Sequence, residues 1–108
     1  MKIYFVRTCY ACPEQYDVYD NGKNQIGYVK LRYGQLKATY PDFGGETVFE
    51  HTFEEDNLKG FFNNDDERLE MLNQISSALL SKMIEHGEGT AGDTVGFYIV
   101  GEDWLKDN

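Results

Sequence analysis

The sequence predicts an α+β fold: a largely antiparallel sheet of about five or six strands, running as a meander, with one long helix packed on one face. Three observations carry this. Five segments between residues 2 and 53 are rich in β-branched and aromatic residues, mostly alternate in polarity, and are divided by short turn-forming clusters. One segment, 65–86, switches to a 3.6-residue apolar repeat. The length of 108 residues suits a single domain, 1–108, with its own core. Aromatics make up 15% of the chain, with eight Tyr and seven Phe, and such rings bury large areas and favour strands.

Residues 2–8 (KIYFVRT) read as the first strand. Residues 14–20 (EQYDVYD) alternate, with Tyr16 and Val18 on one face and Asp17 and Tyr19 on the other. Asn21-Gly22 in the following DNGKN is a strong hairpin signal. Residues 25–33 (QIGYVKLRY) put Val29, Leu31 and Tyr33 on one face and Tyr28, Lys30 and Arg32 on the other. Gly34 interrupts. Residues 35–40 then direct Leu36, Ala38 and Tyr40 inward and Lys37 and Thr39 outward. PDFGG (41–45) is a turn cluster. In 46–53, Thr47, Phe49, His51 and Phe53 share a face. A sheet whose strands each keep a polar face is covered on one side only.

Residues 54–64 form an acidic connection with an apolar centre at Leu58, Phe61 and Phe62. Asn64 is a good N-cap, and Glu67 completes a pair resembling a capping box. Asp65, Asp66 and Glu67 suit the positive end of the helix dipole, and Lys82 and His86 the negative end. Leu69, Leu72, Ile75, Leu79 and Met83 form the apolar stripe, and Gly87 is a natural residue to end the helix. Residues 94–100 (TVGFYIV) are apolar on both faces, which predicts a buried strand lying between others or under the helix. The tail is expected to dock through Trp104 and Leu105.

The net charge of −9 is unevenly placed: residues 1–40 carry +3 and residues 41–108 carry −12. Such an acidic half repels nucleic acid and anionic membrane at long range and favours basic partners. Direct nucleic-acid binding and membrane association are therefore not expected. The apolar run Ile3–Val6 is cut by Arg7, too early for a secretory segment, and no run nears the roughly 18 residues of a membrane span. With two cysteines and no signal segment, the expected setting is the cytoplasm, with both thiols reduced.

Cys9-Tyr-Ala-Cys12 raises metal and redox chemistry. Structural zinc needs four ligands, and the chain offers beyond this pair only His51 and His86, 35 residues apart. A redox thiolate needs a helix N-terminus or an equivalent positive field, whereas 14–20 alternate like a strand. The plainer reading is two small thiols at a strand end, with no metal and no cofactor. GEGTAG (87–92) has the form G-x-G-x-x-G, but it follows a helix and precedes a strand, the reverse of a dinucleotide-binding turn. His51, between Phe49 and Phe53, reads as a histidine at the core margin. No nucleophile motif is visible and the acidic runs lack the EF-hand pattern, so an enzyme is not expected.

Two charged sets remain. Tyr28, Lys30, Arg32 and Lys37 project to one outer face, with Arg7 joining them if the first strand lies alongside; cations interleaved with rings bind phosphate and stack bases. Glu54, Glu55, Asp56, Asp65 and Asp66 flank the helix start and could engage a basic protein groove.

YDVYDNGKNQIGYVKLRYGQL (16–36) and YPDFGGETVFEH (40–51) resemble small phage- and prophage-encoded proteins of Firmicutes, in which a "YDV…G…GYxRLRxG" hairpin leads to a "PDxGGE" turn and then a helix. The resemblance covers roughly residues 8–80 and carries over no functional residue. It implies a mobile-element accessory protein in the host cytoplasm, of the class that includes anti-CRISPR and anti-restriction inhibitors. The expectation is a small acidic non-enzymatic binding protein that occupies a basic surface of a host nucleic-acid-handling complex. The alternatives are a protein that sequesters a nucleotide or phosphate ligand on the basic aromatic face, and a metal or redox protein built on Cys9 and Cys12.

Overall fold

The computed structural model describes residues 1–9, 13–88 and 95–106 of the chain. Six strands, β1 (Lys2–Cys9), β2 (Glu14–Tyr19), β3 (Gln25–Arg32), β4 (Gln35–Tyr40), β5 (Glu46–Thr52) and β6 (Gly96–Val100), form one sheet in the order β5-β4-β3-β2-β1-β6. The first five run as an antiparallel meander, and β6 pairs with β1 in parallel. The helix α1 (Asp65–Glu85) lies between β5 and β6 in sequence, and a short 3-10 turn, Glu102–Lys106, ends the described chain. The expected α+β meander with one helix on one face is what forms.

Strand alternation divides the sheet into two faces. Ile3 and Phe5, Tyr16 and Val18, Val29 and Leu31, and Leu36 and Ala38 are buried toward α1, which answers with Leu72, Ile75, Leu79 and Met83. Each such side chain, removed from water, contributes roughly 1.5–3 kcal/mol. At the N-terminus of α1, the Asn64 side chain accepts from the Glu67 amide at 2.8 Å, and Glu67 reaches back to accept from the Asn63 amide at 3.0 Å. At the other end Gly87 takes φ +76°, and the Gly87 and Glu88 amides donate to Ile84 and Met83 carbonyls, a Schellman closure.

Several expectations change. Leu69 is not in the apolar stripe but 47% exposed, because the inward position of that first turn is taken by Arg68, whose guanidinium reaches Glu14. Tyr33 does not face the core. With Gly34 it forms the two-residue β3–β4 loop, φ +53° and +74°, the double positive φ of a type I′ turn. The Asn21-Gly22 signal marks a looser turn, in which Lys23 takes the positive φ and Asp20 Oδ1 accepts from the Gly22 and Asn24 amides at 2.9 Å each. A register shift in the β4–β5 pairing puts Thr47 opposite Thr39, away from Phe49.

The strand expected to be most buried, β6, lies at the sheet edge, with Phe97 and Val100 half-buried and Gly96, Tyr98 and Ile99 exposed. The chain leaves α1 and lands on the opposite edge from β5, so β6 has only β1 as a neighbour. Its apolar residues serve two different surfaces. Phe97 packs edge-on against Phe5 (5.7 Å) on the helix side, while Tyr98 stacks on Tyr4 (5.3 Å) on the outer side. Trp104 docks as expected, stacked on Tyr4 at 4.4 Å, whereas Leu105 stays exposed.

The helix and sheet are also joined by charge. Glu14 is 1% exposed, and its carboxylate accepts from Arg68 Nε (2.7 Å) and Nη2 (3.2 Å), from the Phe62 amide (3.1 Å) and from the Tyr16 hydroxyl. Arg7 stands 3.4 Å away, and the Glu14 amide donates to Gly60 O at 2.6 Å. Burial by itself would raise the Glu14 carboxyl, but the hydrogen bonds from Arg68, Tyr16 and Phe62 and the Arg68 charge hold it below its ordinary value of 4.5. Burial and Glu14 together push the Tyr16 phenol well up, so it remains a donor.

Because the folded carboxyl lies below its unfolded value, the network's stabilisation is complete above that value and is lost as pH falls through the folded one. Glu14→Gln should cost about 3 kcal/mol at pH 7, the penalty for breaking a buried charge pair. In denaturant melts from pH 7 downward, the gap between wild type and variant should narrow below the ordinary carboxylate range.

Candidate functional site

The outer face of β3 and β4 is where chemistry-bearing side chains converge. Cross-strand register sets Arg32 opposite Gln35, Lys30 opposite Lys37, and Tyr28 opposite Thr39. On the flanks, β2 places Gln15 beside Lys30 and Asp17 beside Tyr28, and β5 places Glu50 beside Lys37. Above this grid the face hollows into a basin of about 440 Å³, lined by Tyr28, Lys30, Arg32, Tyr33, Gln35, Lys37, Thr39, Phe43, Gly44, Gly45 and Thr47. That size falls within the roughly 300–1,000 Å³ of small-molecule sites.

Each wall has a local cause. Tyr28, Lys30 and Arg32 share the face because strand side chains alternate, and Val29 and Leu31 are committed to the core. The Tyr28 hydroxyl donates to Gln15, which fixes the ring; burial, with the Asp17 charge, raises its phenol, so it stays neutral at neutral pH. The β4–β5 turn brings Phe43 edge-on to Tyr28 at 5.3 Å and 84°. That turn depends on Gly45, where an added Cβ would lie 2.1 Å from the Tyr40 carbonyl oxygen. At the opposite end, the type I′ loop throws Tyr33 outward beneath Arg32. The guanidinium lies 4.7 Å from the ring centroid and donates to the Tyr33 hydroxyl at 3.2 Å.

Electrostatically the basin is cationic at its centre, with Asp17 and Glu50 at its flanks. Among the described residues, neither Lys30 nor Lys37 forms an ion pair, although the two face each other directly. Like charges directly opposite on a sheet are destabilising, by the same tenths of a kcal/mol to about 1 kcal/mol that opposite charges gain. The lining supplies cations, an amide, hydroxyls and rings. Groups of those kinds can hold an anion with an attached ring.

Arg7, expected as a fifth member, is elsewhere. Its strand is separated from β3 by β2, and it alternates with Ile3 and Phe5 onto the helix side. There it meets Glu14 and donates to Cys9 O at 3.2 Å. Phe43, Tyr33 and the PDFGG backbone were not expected in the site. Sequence alternation stops at turns, so no periodic signal carried them; the glycine pair was the only cue.

The acidic set occupies the far side of the chain's charge division. Glu54, Glu55 and Asp56 are exposed in the connection after β5, and Asp65 and Asp66 are exposed at the start of α1. Asp65 is engaged by Arg68 at 2.6 Å. Leu58 and Phe61, 74% and 56% exposed, stand in the same connection, while Phe53, Lys59 and Phe62 are buried beneath it. Lys59 lies over the Phe53 ring and pairs with Glu67 at 2.8 Å.

Among the described residues, the remaining motifs do not assemble a site. Cys9 is a half-buried free thiol at the end of β1, and Cys12 lies outside the described residues. Among the described residues, no three His, Cys, Asp or Glu side chains are grouped to hold a metal ion. His51 is exposed rather than at the core margin, edge-on to Phe53 at 4.6 Å, and His86 stacks on Tyr40 at 5.3 Å. Of GEGTAG, Gly87 closes the helix, and residues 89–92 lie outside the described residues. No described helix is long and apolar enough to cross a membrane. No family model, no curated protein and no solved structure matches the chain.

Replacing Lys30 by Gln should relieve the repulsion with Lys37 and raise stability by a few tenths of a kcal/mol at low ionic strength. The gain should shrink as salt is added, because screening already weakens the repulsion. Thermal melts of both proteins in 10 mM and 300 mM salt measure this.

Proposed function

We propose that this chain is a non-enzymatic binding protein that captures a phosphate-bearing ligand of the nucleotide class on the outer face of β3 and β4. The observation that supports the reading is the directly opposed, unpaired Lys30 and Lys37, set between Arg32 and the Tyr28–Phe43 ring pair. Lys30 has no carboxylate opposite it on either neighbouring strand, and among the described residues Lys37 forms no ion pair with the Glu50 opposite it. Resemblance to mobile-element proteins gives such capture a purpose: a host-defence antagonist that removes a nucleotide ligand works by stoichiometry and needs no turnover.

A ligand that binds only the native state stabilises it by mass action, about 2.7 kcal/mol at a free concentration of 100 times Kd. Nucleotides should therefore raise the melting temperature of the protein, with inorganic phosphate giving a smaller rise. Lys30→Glu with Lys37→Glu should abolish both rises without unfolding the chain. A panel of nucleotides that leaves the wild-type melting temperature unchanged would count against the reading.

A second reading has its own support in the exposed Leu58 and Phe61, which stand among Glu54, Glu55 and Asp56 close to Asp65 and Asp66 in sequence. Large apolar side chains ringed by carboxylates are what a protein docking into a basic groove presents. On this reading the chain inhibits a host nucleic-acid-handling effector of the kind that CRISPR or restriction systems use. Binding to such an effector should be one-to-one and should weaken with salt. Reversal of Glu54, Glu55 and Asp56 to Lys should lower affinity at low salt, and an unchanged affinity there would remove the electrostatic part.

A further inference from the structure

Resting on the reading of the basin as a nucleotide-class site, we infer that its ligand carries two phosphates separated by a sugar: a phosphodiester-linked dinucleotide, either cyclic or linear with a 5′-phosphate. The basin has two anion positions rather than one. Lys30 and Lys37 are direct cross-strand partners, and both line the basin. Arg32 stands two residues farther along β3, about 7 Å away at roughly 3.4 Å per residue. Its guanidinium is tethered over the Tyr33 ring and to the Tyr33 hydroxyl, and Gln35 opposite it is neutral, so it forms a separate centre. The two phosphates of a pyrophosphate share a bridging oxygen and sit much closer together than that. Two phosphates with a sugar between them span such a gap.

The rings fall in a matching order. Tyr28 with Phe43 lies on one side of the cations, and Tyr33 on the other; Phe43 and Tyr33 are 73% and 65% exposed, so each ring keeps surface for a base, although the Arg32 guanidinium covers part of Tyr33. Read along the face, the sequence of groups is ring, cation pair, cation, ring. A cyclic dinucleotide carries two phosphates in its ring and a base on either side of it, and a 5′-phosphorylated linear one carries the same four groups in a different order. The flanks limit its length: Asp17 on β2 and Glu50 on β5 border the grid, and the chain carries −9 overall. A longer polyanion would run out of the positive field within about one Debye length, roughly 8 Å at physiological salt.

Calorimetric titration of the full chain with AMP, ADP, 5′-phosphorylated linear diadenylate, cyclic diadenylate and a thymidine 20-mer, with guanine counterparts of the first four, separates the cases. At least one dinucleotide should bind ten times or more tighter than the mononucleotides, and the 20-mer should bind no tighter than the best dinucleotide. Arg32→Ala should cost the dinucleotide more than the mononucleotide and bring their affinities to within twofold, with an unchanged melting temperature reporting an intact fold. ADP or AMP binding as tightly as every dinucleotide, a tighter 20-mer, or an equal loss for all ligands in Arg32→Ala would overturn the dinucleotide inference and leave nucleotide capture standing. No binding by any probe would overturn both.

Discussion

The buried carboxylate of Glu14 is the constraint on which the arrangement of this fold depends. A carboxylate removed from water is costly unless its charge and lone pairs are answered, and the desolvation cost of an ion in a protein is several kcal/mol. Here the answers come from three parts of the chain: Tyr16 on the same strand, the Phe62 amide in the connection, and Arg68 on the helix. Satisfying Glu14 therefore fixes the helix start against β2 and orders residues 60–62 between them. Hydrophobic contact alone would let the helix slide along the sheet, since Leu72, Ile75 and Leu79 meet a broad apolar surface. The directional bonds to Glu14 set where along that surface it stops, and Arg68 takes an inward position that an apolar residue would otherwise fill.

This explains which parts of the fold were legible in the sequence. Strand alternation and the 3.6-residue repeat report burial, so β1 to β5 and α1 were placed close to their observed ends. They do not report partners. Glu14 reads as an ordinary polar residue at a strand start, and nothing within ten residues shows that Arg68 will meet it. The same blindness misplaced Leu69, displaced by that network, whereas Arg7 left the expected face because β2 separates its strand from β3 and alternation turns it to the helix side. The position of β6 failed for a different reason: residues apolar on two faces signal two covered surfaces, and at this edge the second cover is a layer of rings from Tyr4, Tyr98 and Trp104 rather than another layer of backbone.

The candidate site was legible to the same extent. Tyr28, Lys30, Arg32 and Lys37 fell on one face by period alone, and they are found there. The basin exists, however, because two turns bend around that face, and turn geometry is set by backbone dihedrals that periodicity does not carry. Tyr33 reads inward by alternation, but a positive φ at 33 and 34 reverses it. Phe43 sits in a turn that only Gly45 lets close against the Tyr40 carbonyl.

The charge division then acquires a physical meaning beyond the net value of −9. Most of the acids lie on the helix, its connection and the tail, on elements other than the two strands that bear the basin. Over separations beyond roughly 8 Å their field is largely screened at physiological salt. A small anion at the basin therefore meets Lys30, Lys37 and Arg32 as near neighbours, while a long polyanion meets the whole molecule and is repelled. Several cations elsewhere in the chain are neutralised: Arg68 by Glu14 and Asp65, Lys59 by Glu67, and Lys82 by Glu46 and Glu85. Lys30 and Lys37 keep an opposed like-charge pair at the centre of a face where Gln15 and Glu50 are the flanking residues. Glu50 stands opposite Lys37 on β5, whereas Lys30 has only the neutral Gln15 and Lys37 itself as cross-strand neighbours. The retained repulsion is relieved when an anion enters between the two, and that relief adds to the binding free energy of any ligand that places a phosphate there.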